Sequence, residues 1–230
     1  MNVARSVRGS PILTPCALSK TGWLAEQPAD FQERMVALGV WRTFRAGQSL
    51  YEVGDASNGV FGLETGLVDI SIPISDDEMV TLHRAGPGVW GGDSALFADV
   101  PRAVSLTAHT ESLVFVIPAH AVKQHIAERP TDLLYFYKLN HKNFELALRA
   151  LADVIALTPR ARFARLLLRL ASDDGVIRAT QTELGKLAGM SRAAFRRAFS
   201  ELLDAGIVKT EYGKVRITDR AALEAEAARR

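Results

Sequence analysis

Residues 180–199 read TQTELGKLAGMSRAAFRRAF, and this stretch decides the fold of the C-terminal part of the chain. Two helical patterns meet in it at a tight Gly-Met-Ser turn. Thr180 is predicted to cap the first helix, with Glu183 three residues on as its capping-box partner. Leu184 and Leu187 follow at helical spacing, so the pattern predicts a short amphipathic helix.

The second helical pattern carries positive charge on one side only. Gly189 suits the exit from the first helix, where a positive φ is needed, and Ser191 is predicted to cap the second helix. Arg192, Arg196 and Arg197 lie off the apolar stripe, on the solvent side. The predicted buried positions of this helix are Ala194, Phe195, Ala198, Phe199, Leu202 and Leu203. A helix that is packed from behind and carries guanidinium groups in front is what a helix-turn-helix offers to a DNA major groove.

A β-hairpin is predicted directly after this pair of helices. Two alternating runs, 207–210 and 214–217, are joined through Glu211-Tyr212-Gly213, and in this position they form a wing. A surface helical hairpin with solvated arginines is the alternative interpretation. The agreement of caps, turn and wing favours a winged helix-turn-helix instead. The residues predicted to contact phosphate are Thr180, Gln181, Ser191 and Lys214.

The charge is unevenly distributed along the chain. The 230 residues, 48% of them apolar, carry a net charge of only +2 and allow two compact domains. Residues 159–230 contain 15 Lys and Arg against 9 Asp and Glu, a balance of +6, and residues 1–158 have a balance of −4. A basic C-terminal third is the charge distribution expected if only that part of the chain binds nucleic-acid phosphates.

The composition excludes several kinds of site and compartment. Cys16 is the only cysteine, which excludes an internal disulfide, a cysteine-only zinc site and a four-cysteine iron–sulfur cluster. The five histidines are scattered, so we expect them to be surface or capping residues and predict no metal ligands. No apolar run of 18 residues and no signal sequence is visible, so we expect a cytoplasmic protein without a membrane partner.

The residues from 41 to 118 predict a small antiparallel roll. Short β-type runs alternate there with glycine and aspartate turns, as in a barrel or double-stranded β-helix of the jelly-roll type. A short helix begins near Pro28 before the roll, and another is predicted at 118–129 after it. With the helices that follow, the fold class is α+β.

A long helix is predicted at 131–157, ending where Thr158 precedes Pro159. Apolar residues recur along it at spacings of four and three, which is a heptad seam. After Leu133 the predicted seam consists of Tyr137, Asn140, Phe144, Ala147, Leu151 and Val154. A helix buried within its own monomer is the alternative, but helix-turn-helix proteins usually pair to span two half-sites, which favours a homodimer.

This order of elements resembles the CRP/FNR family of bacterial transcription regulators over nearly the whole chain. The motifs that carry the resemblance are FRAGQSLYEVGD, LETGLVDI, GGDSALFADVPRAV and TQTELGKLAGMSRAAFRRAFSELLDAGIV. The resemblance implies a homodimer on a two-fold symmetric promoter site, a signal sensed by the roll, and RNA polymerase as a further partner. We therefore expect a cyclic-nucleotide-binding-like sensor domain at 1–129, a dimerisation helix at 130–158 and a winged helix-turn-helix domain at 159–230.

The same resemblance places a candidate effector pocket at Gly92, Asp93, Ser94, Arg102 and Ala103. Arg102 matches the arginine that binds the phosphate in cyclic-AMP-binding members, and a guanidinium fork suits a phosphodiester. However, Asp93 stands where a longer glutamate would reach the ribose hydroxyl, and Ala103 replaces a hydroxyl residue.

Two further departures lie on the long helix. Ala147 and Leu148 fall where cyclic-AMP binders of the family place hydroxyl side chains against the adenine. Each missing hydrogen bond costs about 0.5–1.5 kcal/mol, and roughly 1.4 kcal/mol corresponds to a tenfold loss of affinity. We therefore expect no bound cofactor: the pocket holds another ligand or none, and Arg102 alone argues for a cyclic nucleotide.

By resemblance, Arg192 and Arg197 occupy positions that read bases or grip the DNA backbone. An arginine can bond guanine O6 and N7 together. Ala193 stands where many members of the family carry a glutamate, so the preferred half-site should differ from theirs. Arg196 is expected on phosphate or on a flanking base.

Two other functions were weighed against a dimeric DNA-binding regulator. The first is a ligand-binding module that regulates a partner protein, against which the basic C-terminal third and the three arginines argue. The second is an enzyme, but no nucleophile–base pairing, phosphate loop or metal-ligand spacing is visible, so no catalytic residue is predicted. The pair Asp76-Asp77 lies in a predicted turn, where solvated charge is the ordinary explanation.

Overall fold

The computed structural model describes residues 17–75, 78–172 and 174–229. The predictions about Cys16 and about Asp76-Asp77 lie outside these residues. The chain packs into two compact units, Met1–Glu145 and Leu146–Arg230, and the division falls within a long helix.

Two four-stranded antiparallel sheets form the roll of the first unit. One sheet has the strand order β1-β8-β3-β6 and the other β2-β7-β4-β5. The strands are β1 (Val40–Phe44), β2 (Ser49–Tyr51), β3 (Gly59–Thr65), β4 (Val68–Ser75), β5 (Glu78–Ala85), β6 (Trp90–Gly91), β7 (Ser105–Ala108) and β8 (Ser112–Pro118). The predicted series of short strands is confirmed, and the structure adds the two-residue strand β6, which was not predicted.

The alternation of side chains along β8 explains why this sheet is buried on both faces. Val114 and Val116 point into a core shared with strands of the other sheet, such as β4 and β7. Phe115 and Ile117 point to the opposite face, into a second core. Successive residues of a strand face opposite sides, so four consecutive apolar residues in β8 serve two cores.

Helices cover the outer face of this sheet. They are α1 (Ala29–Leu38), α2 (Asp93–Ala98), α3 (Ala119–Glu128) and the first part of α4 (Leu133–Ala156). Helix α1 starts directly after Pro28, as predicted, and buries Phe31 and Met35 completely. The Trp23 indole Nε1 donates to the carbonyl oxygen of Tyr135 at 2.6 Å, and this bond ties the segment before α1 to α4.

The long helix α4 has 24 residues and is therefore about 36 Å long at 1.5 Å per residue. It is shorter than predicted at its start, because Pro130–Asp132 form a 3₁₀ turn. The helix ends before Thr158, whose side chain accepts a hydrogen bond from the Ala161 N–H and caps the next helix. Pro159 is the first residue of that helix, a position where a missing N–H costs nothing.

The second unit contains four further helices and a three-stranded antiparallel sheet in the order β10-β11-β9. These elements are α5 (Pro159–Leu170), β9 (Val176–Ile177), α6 (Gln181–Leu187), α7 (Arg192–Asp204), β10 (Val208–Glu211), β11 (Lys214–Ile217) and α8 (Arg220–Ala227). Together the two units confirm the predicted α+β fold with a β-roll, a long helix and a C-terminal winged helix-turn-helix. The predicted boundaries at residues 129 and 158 remain predictions.

The C-terminal stretch from Ala221, which is rich in Ala, Glu and Arg, packs as part of a helix. It forms α8, whose start is capped by Asp219 accepting from the Ala222 N–H at 2.9 Å. Leu223 is completely buried in the core of the second unit, and Ala227 is nearly so. Two apolar residues four apart on one helix face suffice to dock α8 onto the domain.

Candidate nucleic-acid interface and effector pocket

The starts of α6 and α7 are held by hydrogen bonds that the sequence predicted. The Thr180 hydroxyl accepts from the Glu183 N–H at 3.2 Å, and the Glu183 carboxylate accepts from the Thr180 N–H at 2.7 Å, which completes the capping box. Gly189 has a φ of +56°, as expected for a left-handed helix exit. The Ser191 hydroxyl accepts from the Ala194 N–H at 3.3 Å and caps α7.

Helix α7 is fixed from behind by aromatic side chains. Phe195 and Phe199 lie edge-on against Phe163 of α5, with ring centroids 5.2 and 5.6 Å apart. Ala198 and Leu202 complete the buried stripe, whereas the predicted Ala194 and Leu203 are only half-buried. The opposite face of α7 is therefore presented in a fixed orientation.

Three cations stand on that opposite face. Arg192, Arg196 and Arg197 are all exposed. Across residues 17–75, 78–172 and 174–229, none of the three forms a salt bridge or a side-chain hydrogen bond, in contrast to Arg160, which pairs with glutamates. An arginine without an intramolecular partner keeps its planar set of donors available to an external anion or base edge.

The other predicted contact residues differ in their availability. Gln181 is exposed at the start of α6. The hydroxyl of Thr180 donates to the Glu183 carboxylate at 2.8 Å in addition to its capping bond, so its hydrogen is already committed. The Ser191 hydroxyl accepts the capping bond from the Ala194 N–H, and Lys214 forms a salt bridge on the wing.

The wing is the hairpin of β10 and β11, in which Glu211 pairs with Lys214 across a two-residue tip. Gly213 at the tip has a φ of +68°, and Tyr212 beside it is fully exposed at 105%. The neighbourhood of Glu211 was not predicted from the sequence. Its carboxylate contacts three basic side chains: Lys209 on the same strand, and Lys214 and Arg216, which the pairing of β10 with β11 brings close.

The candidate effector pocket lies in the first unit, and Arg102 is its central residue. This side chain is only 3% exposed. Its guanidinium donates to the carbonyl oxygens of Gly92 at 2.7 Å and Gly59 at 2.8 Å, and to Asn58 Oδ1 at 2.8 Å. It also stacks 4.1 Å from the ring centroid of Tyr51. Both Nη atoms of the group predicted to bind a phosphate therefore already bind the protein itself.

Gly92 cannot be replaced without disturbing Arg102. Its φ is +97°, and a Cβ atom there would lie 2.7 Å from the Gly59 carbonyl oxygen and 2.9 Å from Arg102 Nη1. The close approach of these backbones requires glycine. Of the other predicted pocket residues, Ser94 and Ala103 are exposed, and Asp93 is buried.

Asp93 is a buried carboxylate with weak hydrogen bonding. It is 2% exposed, its Oδ1 accepts from Asn143 Nδ2 at 3.4 Å, and its Oδ2 has no partner among the described residues. Burial raises the pKa of Asp93 above the ordinary value of 3.8, and hydrogen bonds from Asn140 and Asn143 act in the opposite direction.

Replacing Asp93 with asparagine is expected to stabilise the protein at neutral pH. A carboxyl group whose pKa is raised on folding favours the folded state most below its unfolded value, and this advantage is lost as the pH rises through the raised pKa. The free energy of unfolding of the Asn variant should therefore rise relative to that of the wild type as the pH increases. The expected difference is about 1 kcal/mol, or ~2–4 °C in Tm. Melting curves between pH 4 and pH 8 measure this.

Asp30→Asn is the control, because the pKa of Asp30 is shifted in the opposite direction and the stability should change with pH in the opposite sense. The hydrogen bond from Arg34 lowers the pKa of Asp30. The ionised carboxylate therefore stabilises the folded state above pH 3.8, the ordinary pKa, and this stabilisation is lost as the pH falls. That variant should lose stability relative to the wild type as the pH rises from 3. If the wild type were more stable than Asp93→Asn, and if this difference in Tm grew towards pH 8, the assignment of Asp93 as a destabilising buried charge would be contradicted.

One histidine differs from the prediction that all five are surface or capping residues. His125 is 7% exposed, and its Nε2 lies 2.8 Å from Asp132 Oδ2. Arg34 donates to the same oxygen at 3.0 Å. His125 thus belongs to a buried polar network that joins α1, α3 and the turn before α4.

Within the part of the chain that the structure describes, no group of three or more His, Cys, Asp and Glu side chains could hold a metal ion. Among the same residues, no helix has the length and apolarity needed to cross a membrane.

The fold and the site define a class of protein: a roll of the cyclic-nucleotide-binding type followed by a winged helix-turn-helix. The profile of the cyclic nucleotide-binding domain matches residues 41–129, and that of the Crp-like helix-turn-helix domain matches residues 161–226, together more than half of the chain. The chain belongs to the CRP/FNR family of transcription regulators. It is a CRP-like regulator with a cyclic nucleotide-binding domain and a DNA-binding helix-turn-helix domain.

Individual relatives agree with this assignment. The chain is 26% identical over 185 residues to the CRP-like cAMP-activated global transcriptional regulator of Mycobacterium tuberculosis, covering 76% of this chain and 83% of that protein. It is 26% identical over 194 residues to the transcriptional regulator LdrP of Thermus thermophilus, covering 81% and 96%. The structure of the c-di-GMP-responsive global regulator CLP of Xanthomonas campestris shares the fold, with a TM-score of 0.68, 22% identity and coverage of 83% and 99%.

Proposed function

We propose that the protein acts as a homodimer that binds a two-fold symmetric DNA site with α7 and regulates transcription there. The observation that carries the proposal is the exposed apolar row on α4. Tyr137 is 68% exposed, Leu151 55% and Ile155 76%, and Phe144 and Val154 are more than half exposed. Contiguous apolar surface of this kind marks an interaction site, because its burial is worth about 25 cal/mol per Å².

The spacing of this row supports a second copy of α4 as its partner. The spacings of four and three place the row on one helix face, as in a two-helix seam. The polar Asn140 within an apolar row would fix the register of the two helices, and the small Ala147 would allow close approach. Leu134 and Leu148, also exposed, widen the face beyond the seam itself.

A dimer would offer two copies of α7 to successive major grooves. In helix-turn-helix dimers, the half-sites lie about 34 Å apart, one turn of the duplex. We propose that Arg192 and Arg197 read guanine, that Arg196 binds phosphate or a flanking base, and that Gln181, Ser191, Thr180 and Lys214 contact the backbone. The exposed methyl group of Ala193 can touch a thymine but accepts no hydrogen bond. RNA polymerase is proposed as a further partner on the family resemblance.

The experiment is a titration of fluorescent duplexes, selected from a random pool, at two salt concentrations. A preferred duplex should bind two chains, and its affinity should fall steeply with salt, since several phosphates are neutralised. A scrambled duplex should bind about 10³-fold more weakly or worse. Equal affinity for selected and scrambled duplexes, or one chain per duplex, would refute the proposal.

We also propose that the roll does not use cyclic AMP. The support is that three of the five N–H donors of the Arg102 guanidinium already bond within the protein, so a phosphate would compete with these partners for the side chain. Each bond left unmade costs about 1–3 kcal/mol. Ala103 supplies no hydroxyl to compensate.

Isothermal titration with cyclic AMP is therefore expected to give no saturable heat at ligand concentrations up to about 1 mM, which corresponds to roughly −4 kcal/mol of binding free energy or weaker. The ligand should leave the Tm and the DNA affinity unchanged, because a molecule that does not bind the folded state cannot stabilise it. Micromolar binding with a rise in Tm would refute this proposal.

A further inference from the structure

Glu211 on the wing lies within a cluster of three cations. Its Oε1 is 3.0 Å from Arg216 Nε and 3.4 Å from Lys209 Nζ, and its Oε2 is 2.9 Å from Lys214 Nζ. Strand register explains the cluster, since Glu211 lies opposite Lys214, and Lys209 lies opposite Arg216. We call these four residues the wing cluster.

The wing cluster is accessible from solvent. The side chains of Lys209, Lys214 and Arg216 are 54%, 37% and 33% exposed, and that of Glu211 is 27% exposed. Hydrogen bonds from Lys214 and then Arg216 lower the pKa of Glu211 to about 2, so the carboxylate is ionised throughout the physiological range. One carboxylate neutralises only part of the charge of the three cations, so the cluster still attracts a competing anion.

Exchange of anions at such a site is energetically easy. Exposed salt bridges contribute little to stability, because water and salt compete with both partners. A phosphodiester carries a single negative charge, as a carboxylate does, and accepts hydrogen bonds from the same ammonium and guanidinium groups. The geometry that holds the carboxylate can therefore hold a phosphate oxygen.

We propose that the three cations of the wing cluster are a DNA backbone phosphate site, and that Glu211 occupies this site until DNA displaces it. The carboxylate weakens binding to every duplex alike, because it competes with phosphate and not with bases. This inference rests on the proposed function. It replaces the earlier view of Lys214 as an isolated phosphate contact with a site of three cations and an internal competitor.

The test is Glu211→Gln, which removes the charge and keeps the shape. At about 0.1 M salt, the variant should bind specific and scrambled duplexes roughly 3–10-fold more tightly, since about one more phosphate contact is made without competition. The slope of log K against log salt should steepen by about 0.9. Adding Lys214→Ala to this variant should remove much of the gain.

Glu224→Gln is the matched control, because it makes the same change in net charge in the same domain. Glu224 lies on α8 and pairs with the single cation Arg220 at 3.0 Å. We expect its effect to be less than about twofold, the range of a distant screened charge. Melting curves verify that all variants fold.

The outcomes separate this inference from the proposed function. The ratio between selected and scrambled duplexes in the wild type tests sequence-specific binding, whereas the gain of Glu211→Gln on a scrambled duplex tests the wing cluster alone. Unchanged or weaker binding by Glu211→Gln, or an equal gain in Glu224→Gln, would overturn the inference. Weaker binding would mean that the carboxylate orders the cations for DNA instead of competing with it.

Discussion

Arg197→Ala is expected to remove most of the preference for the selected duplex. Arg197 is exposed on α7 and forms no ion pair among the described residues, so its donors are available to a base edge. A bidentate arginine–guanine contact is worth about 1–3 kcal/mol of discrimination. Because a dimer loses the contact in both half-sites, affinity for the preferred duplex should fall at least about 30-fold. Binding to a scrambled duplex should change only a few-fold, as a single phosphate contact would.

The matched control is Arg220→Ala. Arg220 is also an exposed arginine of the second unit, but it lies on α8 and pairs with Glu224. This variant should keep the ratio between preferred and scrambled duplexes within about twofold, since exposed pairs of this kind are worth little. Fluorescence anisotropy at two salt concentrations measures both ratios. If Arg197→Ala kept the wild-type ratio, the base-reading role of this arginine would be wrong.

Leu151→Glu is expected to produce a monomer that no longer binds the symmetric site tightly. Leu151 is 55% exposed and lies within the apolar row of α4. In the proposed dimer, the change brings two carboxylates together across the seam and removes an apolar contact worth several kcal/mol. Loss of the second half-site should lower the affinity for the selected duplex by about 10²-fold or more, because binding of the two α7 helices is no longer linked.

Ala156→Glu is the control for this change. Ala156 is also exposed on α4, but it lies away from the row that includes Leu151 and Val154. Light scattering after size-exclusion chromatography should give a dimeric mass for this control and a monomeric mass for Leu151→Glu. A Leu151→Glu protein that remained dimeric would show that another surface holds the two copies together.

Local sequence signals predicted the DNA-binding unit well. Helix caps such as Thr180 and Ser191 act within three or four residues, so spacing alone identifies them. The buried stripe at Phe195 and Phe199 and the opposite arginines follow from the period of 3.6 residues. The strands of the roll were visible because alternation and turn residues are equally local.

Features that depend on distant residues were not predictable in the same way. Arg102 was matched to a phosphate site, but its partners Asn58 and Gly59 come from another strand, more than 40 residues away. Leu223 reached the core through packing of α8 on its unit. In each case, the neighbouring sequence allows several partners for the side chain, and tertiary contacts decide which of them it has.

The most direct test of the central claim is protection of guanine N7 from methylation on a selected duplex. The account predicts two protected guanine clusters, related by two-fold symmetry and centred about one helical turn apart. Both clusters should disappear together in Arg197→Ala and in Leu151→Glu. A single protected cluster, or protection that survives in both variants, would contradict a dimer that reads DNA with α7.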